Sequence, residues 1–263
     1  MGATSDWLDI ARTLERIGYR GSLEPSFETL RALQRAFLLS VPFENLDIHL
    51  GREITLAPEP TYAKIVGEGR GGFCYECNGL FHDLLSRLGF RVSFHSARMA
   101  LGERFGQEYG HMVLLVRLDA TYLVDVGNGQ SCREPLRIDG SDQSSAEGVT
   151  YRVGPRDSEL ALWLREEGAE WRPRFLFEVQ PRSRSAFADM CRYHQTSPDS
   201  LFTRSRLVTR AQLDGRLTLV GTHLITAEAG ATHERELGSE EEYRACLRER
   251  FGIELRDGAR WTR

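Results

Sequence analysis

The sequence predicts an α+β fold, because its periodicity changes twice along the chain. Residues 1–89 carry apolar side chains at helical spacing. Residues 90–195 consist mainly of short apolar or β-branched runs, which are typical of strands. Residues 196–263 combine short strand-like runs with a final helix that Ser239 is expected to cap. We therefore expect a helical segment, a β-rich segment and a mixed α/β segment, in that order.

The helical segment is expected to contain three amphipathic helices. Capping or helix-breaking residues mark their ends: Ser5 or Asp6 and Gly18 for the first, Ser26 and Pro42 for the second, and Gly72 and Gly89 for the third. Residues 41–50 follow neither the helical nor the strand period. We expect an irregular buried connection there.

The later segments contain short apolar runs separated by turn residues. We expect strands at 90–99, 112–118, 121–126, 151–153, 160–164, 171–178, 216–219 and 222–226. Asp119 and Ala120 are expected to form a two-residue hairpin loop. Residues 127–148, rich in Gly, Ser and Asp, are expected to form a long loop, and the charged run 234–242 a solvated surface.

Composition and charge exclude several classes of protein. The chain has 263 residues, of which 41% are hydrophobic and 27% charged, as in a globular rather than a disordered protein. Its formal net charge of −4 lacks the basic excess of nucleic-acid-binding proteins. It contains no apolar run of transmembrane length, no secretory signal pattern and an odd number of cysteines, five. We therefore expect a cytoplasmic protein with reduced thiols that binds neither nucleic acid nor membrane.

The segment from Arg70 to Gly79 carries the strongest signal for chemistry. Two glycines allow a tight turn that delivers Cys74 into the first turn of a helix, where unpaired amides and the helix dipole favour a thiolate. One alternative is a small buried hydrophobic side chain. A second is a redox or zinc pair with Cys77. Zinc would need two further ligands, and no second C-x-x-C or H-x3-H pair follows, so we expect no metal.

A thiolate nucleophile needs a base, and the base needs an acceptor that orients it. Of the seven histidines, His111 differs because it follows a glycine at the head of a strongly apolar predicted strand. Asp125 lies between two valines of the next predicted strand. If buried, it must be hydrogen-bonded, and an imidazole N–H would satisfy it and fix the tautomer. The alternative is that Asp125 caps a turn through the amides of residues 127–129.

The predicted hairpin argues against direct contact between these two side chains. With a two-residue loop at 119–120, Asp125 pairs with Leu114 and points to the opposite face of the sheet from His111. Contact needs a bulge, a longer loop, or a His111 that precedes the regular ladder. The residues alone therefore predict neighbouring strands and leave a triad open.

Collinear blocks along most of the chain resemble the arylamine N-acetyltransferase family. They are Val-Pro-Phe-Glu-Asn-Leu at 41–46, Arg-Gly-Gly-Phe-Cys-Tyr-Glu with Asn at 70–78, His-Met at 111–112, Tyr-Leu-Val-Asp-Val-Gly at 122–127, Thr-Ser-Pro-Asp-Ser-Leu-Phe at 196–202, Gly-Arg-Leu-Thr-Leu at 215–219 and Arg-Phe-Gly-Ile-Glu-Leu at 250–255. The Arg-Gly-Gly-x-Cys motif, followed by His and Asp in this order, is specific. So many collinear blocks make a chance similarity improbable.

The resemblance implies both an architecture and a mechanism. The architecture has three parts: an N-terminal helical bundle at 1–89, a central β-barrel at 90–195 and a C-terminal α/β lid at 196–263. The implied catalytic triad is Cys74, His111 and Asp125. Acetyl-CoA, a co-substrate rather than a tightly bound cofactor, would acetylate the cysteine, and an aromatic amine or hydrazine would then take the acetyl group.

The resemblance also implies binding residues and reveals two departures. The expected substrate- and CoA-binding residues are Phe43, Phe73, Tyr75, Gly127, Asn128, Gly129 and Phe202. Glu44 and Glu76 lie in family motifs and are expected to be scaffold carboxylates. Asn128 replaces the phenylalanine of the family's usual Asp-Val-Gly-Phe-Gly run, which helps to wall the aryl pocket. Cys77 stands where relatives often carry a polar residue, and is either a bystander or a thiol that oxidises with Cys74.

Three other functions remain open from the sequence. An amide synthase of the same family would join or cyclise a polyketide acyl thioester onto an aryl amine, with an acyl carrier protein as partner. A transglutaminase-like or peptidase-like enzyme would use the same Cys–His–Asp order on peptide amides, but the family blocks outside the triad argue against it. A non-catalytic binding domain would be expected to have lost one of the three residues.

Overall fold

The computed structural model describes residues 7–130, 132–145, 148–228, 230–256 and 258–262. The predicted caps Ser5 and Asp6 lie outside these ranges. The fold is α+β, as predicted, with helices packed against a nearly closed barrel sheet and a second sheet in the C-terminal part. None of the helices within the described ranges is long and apolar enough to cross a membrane.

The N-terminal part is mainly helical. Its elements are α1 (Ile10–Arg16), α2 (Phe27–Ser40), a short strand β1 (Phe43–Glu44), α3 (Leu46–His49), α4 (Pro58–Tyr62) with a π-helical turn at Ala63–Gly67, and α5 (Cys74–Arg87). Ser26 caps α2 as predicted, and its hydroxyl accepts the amide of Thr29 at 3.1 Å. Asp9 caps α1, and its Oδ1 accepts the amide of Arg12 at 3.0 Å.

Helices α2 and α5 form the centre of the helical core. Leu30, Leu33 and Phe37 of α2 are fully buried, as are Phe81 and Leu84 of α5. The rings of Phe37 and Phe81 pack edge to face with their centroids 5.3 Å apart. Side chains of this size each contribute about 1.5–3 kcal/mol when they are removed from water. This burial fixes the position of α5 and therefore of its first residue.

The β-rich part forms one antiparallel sheet. Its strands are β2 (Arg91–Leu101), β3 (Arg104–Phe105), β4 (His111–Arg117), β5 (Thr121–Val124), β6 (Leu136–Arg137), β7 (Asp142–Ser144), β8 (Val149–Arg156), β9 (Glu159–Glu166) and β10 (Arg172–Phe177). The order is β6-β5-β4-β2-β10-β9-β8-β7, and β3 pairs with β2. The Gln143 side chain links the two edge strands: it accepts the Arg137 amide at 2.7 Å and donates to the Arg137 carbonyl at 3.0 Å. The sheet is therefore a nearly closed barrel.

Two features of this sheet correct the sequence-based expectations. Strands β6 and β7 lie within 127–148, which was expected to be loop, because strands of two and three residues are too short to show a period. The predicted two-residue loop between β4 and β5 is also wrong, since Leu114 pairs with Val124 rather than with Asp125. Continuation of that register places Asp125 opposite Val113, on the same face as His111.

The C-terminal part combines helices with the second sheet. Its elements are a 3-10 turn at Arg184–Phe187, α6 (Ala188–Thr196), α7 (Leu201–Arg204), β11 (Leu207–Gln212), β12 (Gly215–Val220), β13 (His223–Glu228), β14 (Ala231–Glu236) and α8 (Glu240–Cys246) with a π-helical turn at Leu247–Phe251. The sheet order is β1-β11-β12-β13-β14. Phe43 of β1 lies opposite Thr209 of β11, so this sheet joins the beginning of the chain to its end.

The sequence did not predict α6, β11 or β14. All six residues of β14 are exposed, so the strand has no apolar alternation, and its second half was assigned to solvated surface. Ser239 does cap α8 as predicted, and its hydroxyl accepts the Glu242 amide at 3.2 Å. A helix cap is therefore easier to predict from the sequence than a strand that is exposed on both faces.

Candidate active site

Cys74 is the first residue of α5 and is only 2% exposed. The Gly72 amide donates to the Pro42 carbonyl at 3.3 Å, and the Glu44 amide donates to the Gly72 carbonyl at 2.9 Å. A Cβ at Gly71 would lie 2.0 Å from the carbonyl oxygen of Pro42. Only glycine permits this close approach, so the glycine pair is what delivers Cys74 to the helix start.

Five buried ionisable side chains, Glu44, Asp47, Lys64, Arg70 and Glu76, form an ion cluster beneath this loop. Lys64 Nζ lies 2.9 Å from Glu76 Oε1 and 3.0 Å from Asp47 Oδ2. Arg70 Nη2 lies 2.7 Å from Glu44 Oε1 and 2.9 Å from Asp47 Oδ1. Glu76 Oε2 also accepts the amide of the α5 N-cap residue at 3.1 Å. The cluster therefore connects the start of α5 to three other segments of the N-terminal part.

The pKa values of Glu76 and Asp47 in the ion cluster shift in opposite directions. Burial raises the pKa of Glu76, although Lys64 partly offsets it. Burial would also raise the pKa of Asp47, but attraction to Lys64 and Arg70 lowers it overall. The cluster holds three acidic groups and two basic ones. Of the acids, Glu76 is the one whose charged form burial disfavours overall.

His111 and Asp125 are in direct contact. His111 Nε2 lies 2.9 Å from Asp125 Oδ2, and both side chains are buried. The other oxygen, Oδ1, accepts Asn78 Nδ2 and the Gly127 amide, each at 2.9 Å. Burial would raise the pKa of Asp125, but His111, Asn78 and Gly127 lower it overall. The carboxylate can therefore hold the imidazole in one orientation, with Nδ1 as the ring nitrogen not bound to Asp125.

The thiol of Cys74 lies where β4 begins. Burial raises the pKa of Cys74 well above its usual value, whereas hydrogen bonds from the backbone of Met112 and Tyr75 lower it. Met112 follows His111 in β4, so the sulfur lies near the backbone at the start of that strand. A thiolate in this setting needs a positive partner, because burial alone favours the neutral thiol.

Cys74 and His111 open onto one cavity of about 770 Å³. Residues from all three parts of the chain line it. Five residues predicted from the resemblance to bind substrate or CoA are on its wall: Phe43, Gly127, Asn128, Gly129 and Phe202. The position and size of the cavity therefore allow a ligand as large as an aromatic amine to reach the sulfur.

Phe73 and Tyr75, which were also expected to bind substrate, are not on the cavity wall. Phe73 is fully buried, and its ring packs edge to face on Tyr75 with the centroids 5.1 Å apart. The Tyr75 hydroxyl donates to the Tyr109 carbonyl at 2.7 Å. Both rings lie behind the wall because residues on either side of Cys74 point into the core when the cysteine itself faces the cavity.

Cys77 lies outside this cavity. Its Sγ donates to the carbonyl oxygen of Gly72 at 3.2 Å, and the residue is fully buried. Across the described ranges, no three His, Cys, Asp or Glu side chains are grouped so that they could hold a metal ion. The geometry therefore gives Cys77 a place in the core beside the glycine loop.

The chain is similar to known proteins over most of its length. A family model described as N-acetyltransferase matches residues 26–260. The arylamine N-acetyltransferase of Mycolicibacterium smegmatis is 34% identical over 258 residues, covering 95% of this chain and 94% of the relative. Proansamycin X synthase of Amycolatopsis mediterranei is 32% identical and covers 91% of this chain and 95% of its own. The Mycobacterium marinum arylamine N-acetyltransferase in complex with CoA superposes with a TM-score of 0.86 at 30% identity over 93% of each chain.

The chain belongs to the arylamine N-acetyltransferase family. It is therefore an acyltransferase. Asn128 stands at the position where the resemblance leads us to expect a phenylalanine. Asn128 is 7% exposed, and its Oδ1 accepts Arg174 Nη2 at 2.6 Å and the Gln130 amide at 3.2 Å. The side chain of Asn128 is thus turned towards Arg174 rather than left free for a substrate.

Arg174 is a cavity residue that the sequence analysis did not find. The register of β10 against β9 shifts between Pro173 and Phe175, and Arg174 is the unpaired residue between them. A bulge of this kind turns a side chain away from the regular alternation. Strand 171–178 was predicted, but a bulge leaves no signal in the apolar pattern.

His194 is a second cavity residue for which the sequence offered no local signal. Its Nε2 lies 3.1 Å from the Gly110 carbonyl, and its ring packs edge to face on Phe202 at 5.1 Å. Burial lowers the pKa of His194. Since Gly110 precedes His111, this contact connects α6 to the backbone that positions the candidate base in this N-acetyltransferase.

Proposed function

We propose that the protein transfers an acetyl group from acetyl-CoA, through a thioester on Cys74, to an aromatic amine or hydrazine. The observation that carries the proposal is that Cys74 and His111 open onto the same cavity while Asp125 holds the imidazole from behind. The family membership and the relative solved with CoA support acetyl-CoA as the donor. The three residues form the triad of this mechanism.

In the first half-reaction, the Sγ–H proton of Cys74 passes to Nδ1 of His111. The sulfur attacks the carbonyl carbon of acetyl-CoA, the bond from that carbon to the CoA sulfur breaks, and His111 returns the proton to the leaving CoA thiolate. Asp125 stabilises the imidazolium that forms in between. The imidazolium also supplies the positive charge that a buried thiolate requires.

In the second half-reaction, the amine nitrogen attacks the acetyl carbonyl carbon. The new C–N bond forms, the C–S bond to Cys74 breaks, and a proton from the nitrogen returns to the sulfur by way of His111. The amides of Cys74 and Tyr75 belong to the first turn of α5, where no carbonyl four residues earlier accepts them. These amides are the donors that we expect to stabilise the oxyanion.

The three expected parts of the chain contribute different groups to this site. In this proposal the helical bundle at 1–89 supplies Cys74, the β-barrel at 90–195 supplies His111 and Asp125, and the lid at 196–263 contributes Phe202, which lines the cavity. Cys74, Cys77, Cys191 and Cys246 form no disulfide bond, which supports a reducing, cytoplasmic location.

Intact-protein mass spectrometry after brief incubation with acetyl-CoA tests the proposal. The wild type should gain one acetyl group, and an aromatic amine should then remove it. The Cys74→Ser variant should gain no group that the amine removes. An added acetyl group can be assigned to Cys74 more easily because acetylation of a lysine side chain is not expected. Lys64 is the only lysine in the chain, is 2% exposed and is held by the ion cluster. A wild-type protein that gains no acetyl group would contradict the proposal.

An amide synthase is the second candidate, because proansamycin X synthase is 32% identical over most of both chains. Such an enzyme would load a longer acyl group from an acyl carrier protein onto Cys74. The same mass measurement distinguishes the two functions when it is repeated with an acyl-carrier thioester. Loading from the carrier without loading from acetyl-CoA would favour the synthase.

A further inference from the structure

Arg174 is a cation without a carboxylate partner. Its guanidinium lies on the cavity wall, and Nη2 donates to the amide oxygen of Asn128 at 2.6 Å. Nε is out of contact with solvent and has no acceptor within the described residues. Burial lowers the pKa of Arg174, and the negative charge of Asp125 opposes this only in part. A partly buried guanidinium with a neutral partner is costly, and an anion would stabilise it.

Asp125 cannot supply that anion. Its Oδ2 is used by His111, and its Oδ1 is used by Asn78 and Gly127. No carboxylate among the described residues lies within ion-pair distance of Arg174. The bulge in β10 therefore directs a charged side chain to a place where no carboxylate of the described residues is close enough to form an ion pair with it.

The charges around the cavity are also unbalanced. Among the described residues that line it, three are arginines, at 174, 204 and 216, and one is an acid, Asp199. Asp199 lies 3.8 Å from Arg204, and both side chains are exposed at the rim. The cavity therefore has its acid at the mouth and an excess of positive charge further inside.

We propose that Arg174, oriented by Asn128, binds a carboxylate on the aromatic acceptor and selects carboxylated aryl amines over neutral ones. This inference rests on the proposed function. The guanidinium presents a planar set of donors that matches a carboxylate, and Asn128 fixes the plane through one Nη2 hydrogen bond. Asn128, which replaces an aromatic wall residue, thereby acts as a positioning residue for Arg174.

Matched acceptor pairs test this specificity. We would measure kcat/KM for 3- and 4-aminobenzoate and for the corresponding aminobenzamides, in which a neutral amide of similar size replaces the carboxylate. Wild type should prefer the carboxylates. In Arg174→Gln, the ratio of the two kcat/KM values should fall about 10- to 100-fold, the range for a hydrogen bond to a charged group. The rate at which acetyl-CoA acetylates Cys74 should stay unchanged.

Two variants sharpen this test. Asn128→Asp keeps Arg174 but gives it an internal carboxylate, so the preference for carboxylated acceptors should fall there too. Arg172→Gln is the matched control, because Arg172 lies two residues away in the same strand, is 59% exposed and pairs with Glu166 at 2.7 Å. Its acceptor ratio should equal that of wild type.

Several outcomes would overturn the inference. The inference is wrong if Arg174→Gln leaves the ratio of kcat/KM for carboxylated and neutral acceptors unchanged. It is also wrong if the wild type shows no preference for carboxylated acceptors. Slower acetylation of Cys74 with an unchanged ratio would assign Arg174 to the CoA phosphates. Equal losses for both acceptors would give Arg174 only a structural role. Failure of wild type to acetylate even the neutral acceptors would instead count against the proposed function.

Discussion

Asp125 satisfies two hypotheses that the sequence presented as alternatives. Its Oδ1 accepts the Gly127 amide, as a turn cap would, and its Oδ2 faces His111, as an orienting carboxylate would. Asn78 completes the set, because its Nδ2 also donates to the Met112 carbonyl at 2.7 Å and so connects α5 to β4. Burial without these donors would favour the protonated acid.

Asp125→Asn should fold and yet lose about 1,000- to 10,000-fold in the rates of both half-reactions. The asparagine keeps an acceptor for Asn78 and Gly127 but presents N–H₂ to His111 Nε2. The imidazole then carries its proton on Nδ1, and it cannot take the proton of Cys74. Stopped-flow measurement of CoA release and of amine acetylation would show this.

The control for that variant is Asp189→Asn, since Asp189 is a surface aspartate whose side chain is 96% exposed. It should react like wild type. If Asp125→Asn also reacts like wild type while its circular dichroism is unchanged, Asp125 only caps the turn and the triad assignment is wrong.

The residues that sequence reasoning missed share a physical cause. A bulge in β10 places Arg174 on the cavity wall. His194 contacts Gly110, which is 84 residues away in the chain. Neither position belongs to a local motif. The sequence was sufficient to propose Cys74, His111 and Asp125, because each has a local sequence signal. These signals are a preceding glycine pair, the start of a strand after a glycine, and a carboxylate between two valines.

At the scale of elements, apolar patterning predicted the strands that bury one face and failed where no face is buried. Strand β4 is buried at six of its seven positions, and β14 is exposed at all six. The apolar pattern could not predict the register between β4 and β5, because one additional loop residue moves every later side chain to the opposite face of the sheet. The contact between His111 and Asp125 depends on that single residue.

The ion cluster is the element-scale feature that we expect to be most sensitive to substitution. Lys64→Met should lower the free energy of unfolding by about 3–5 kcal/mol, because it leaves three buried carboxyl groups with one fewer cation. Glu76→Gln should cost less, since burial already disfavours the charged form of Glu76. Urea unfolding of the two variants and wild type would measure these differences.

The matched comparison is Arg172→Met, which breaks an exposed pair with Glu166. That variant should change the free energy of unfolding by no more than about 1 kcal/mol. Equal effects of Lys64→Met and Arg172→Met would show that the ion cluster does not stabilise the start of α5.

At the scale of the whole molecule, the N-terminal and C-terminal parts of the chain both line the cavity and pair with each other. Strand β1 pairs with β11, and Asn45, directly after β1, reaches into the C-terminal part. Asn45 Nδ2 donates to the Phe202 and Ser205 carbonyls at 2.8 and 2.9 Å, and its Oδ1 accepts the Leu207 amide at 2.7 Å. The family blocks quoted from the sequence include both 41–46 and 196–202, but nothing local in either indicated that they touch.

Asn45→Ala should loosen the C-terminal part over the cavity while the barrel stays folded. The substitution removes the side-chain partner of the Ser205 carbonyl and of the Leu207 amide, and each lost partner in a buried site costs about 1–3 kcal/mol. The Phe202 carbonyl also loses Asn45 but still lies 3.0 Å from His49 Nε2. We expect faster amide exchange in α7 and the start of β11, and a higher KM for both substrates, with little change in the acetylation of Cys74 at saturating acetyl-CoA. Hydrogen-exchange mass spectrometry and steady-state kinetics would measure these effects, with the exposed Gln180→Ala as control. Because the Asn45 side chain donates to and accepts from backbone groups of the C-terminal part, faster exchange confined to the barrel strands would contradict this account of how the cavity is covered.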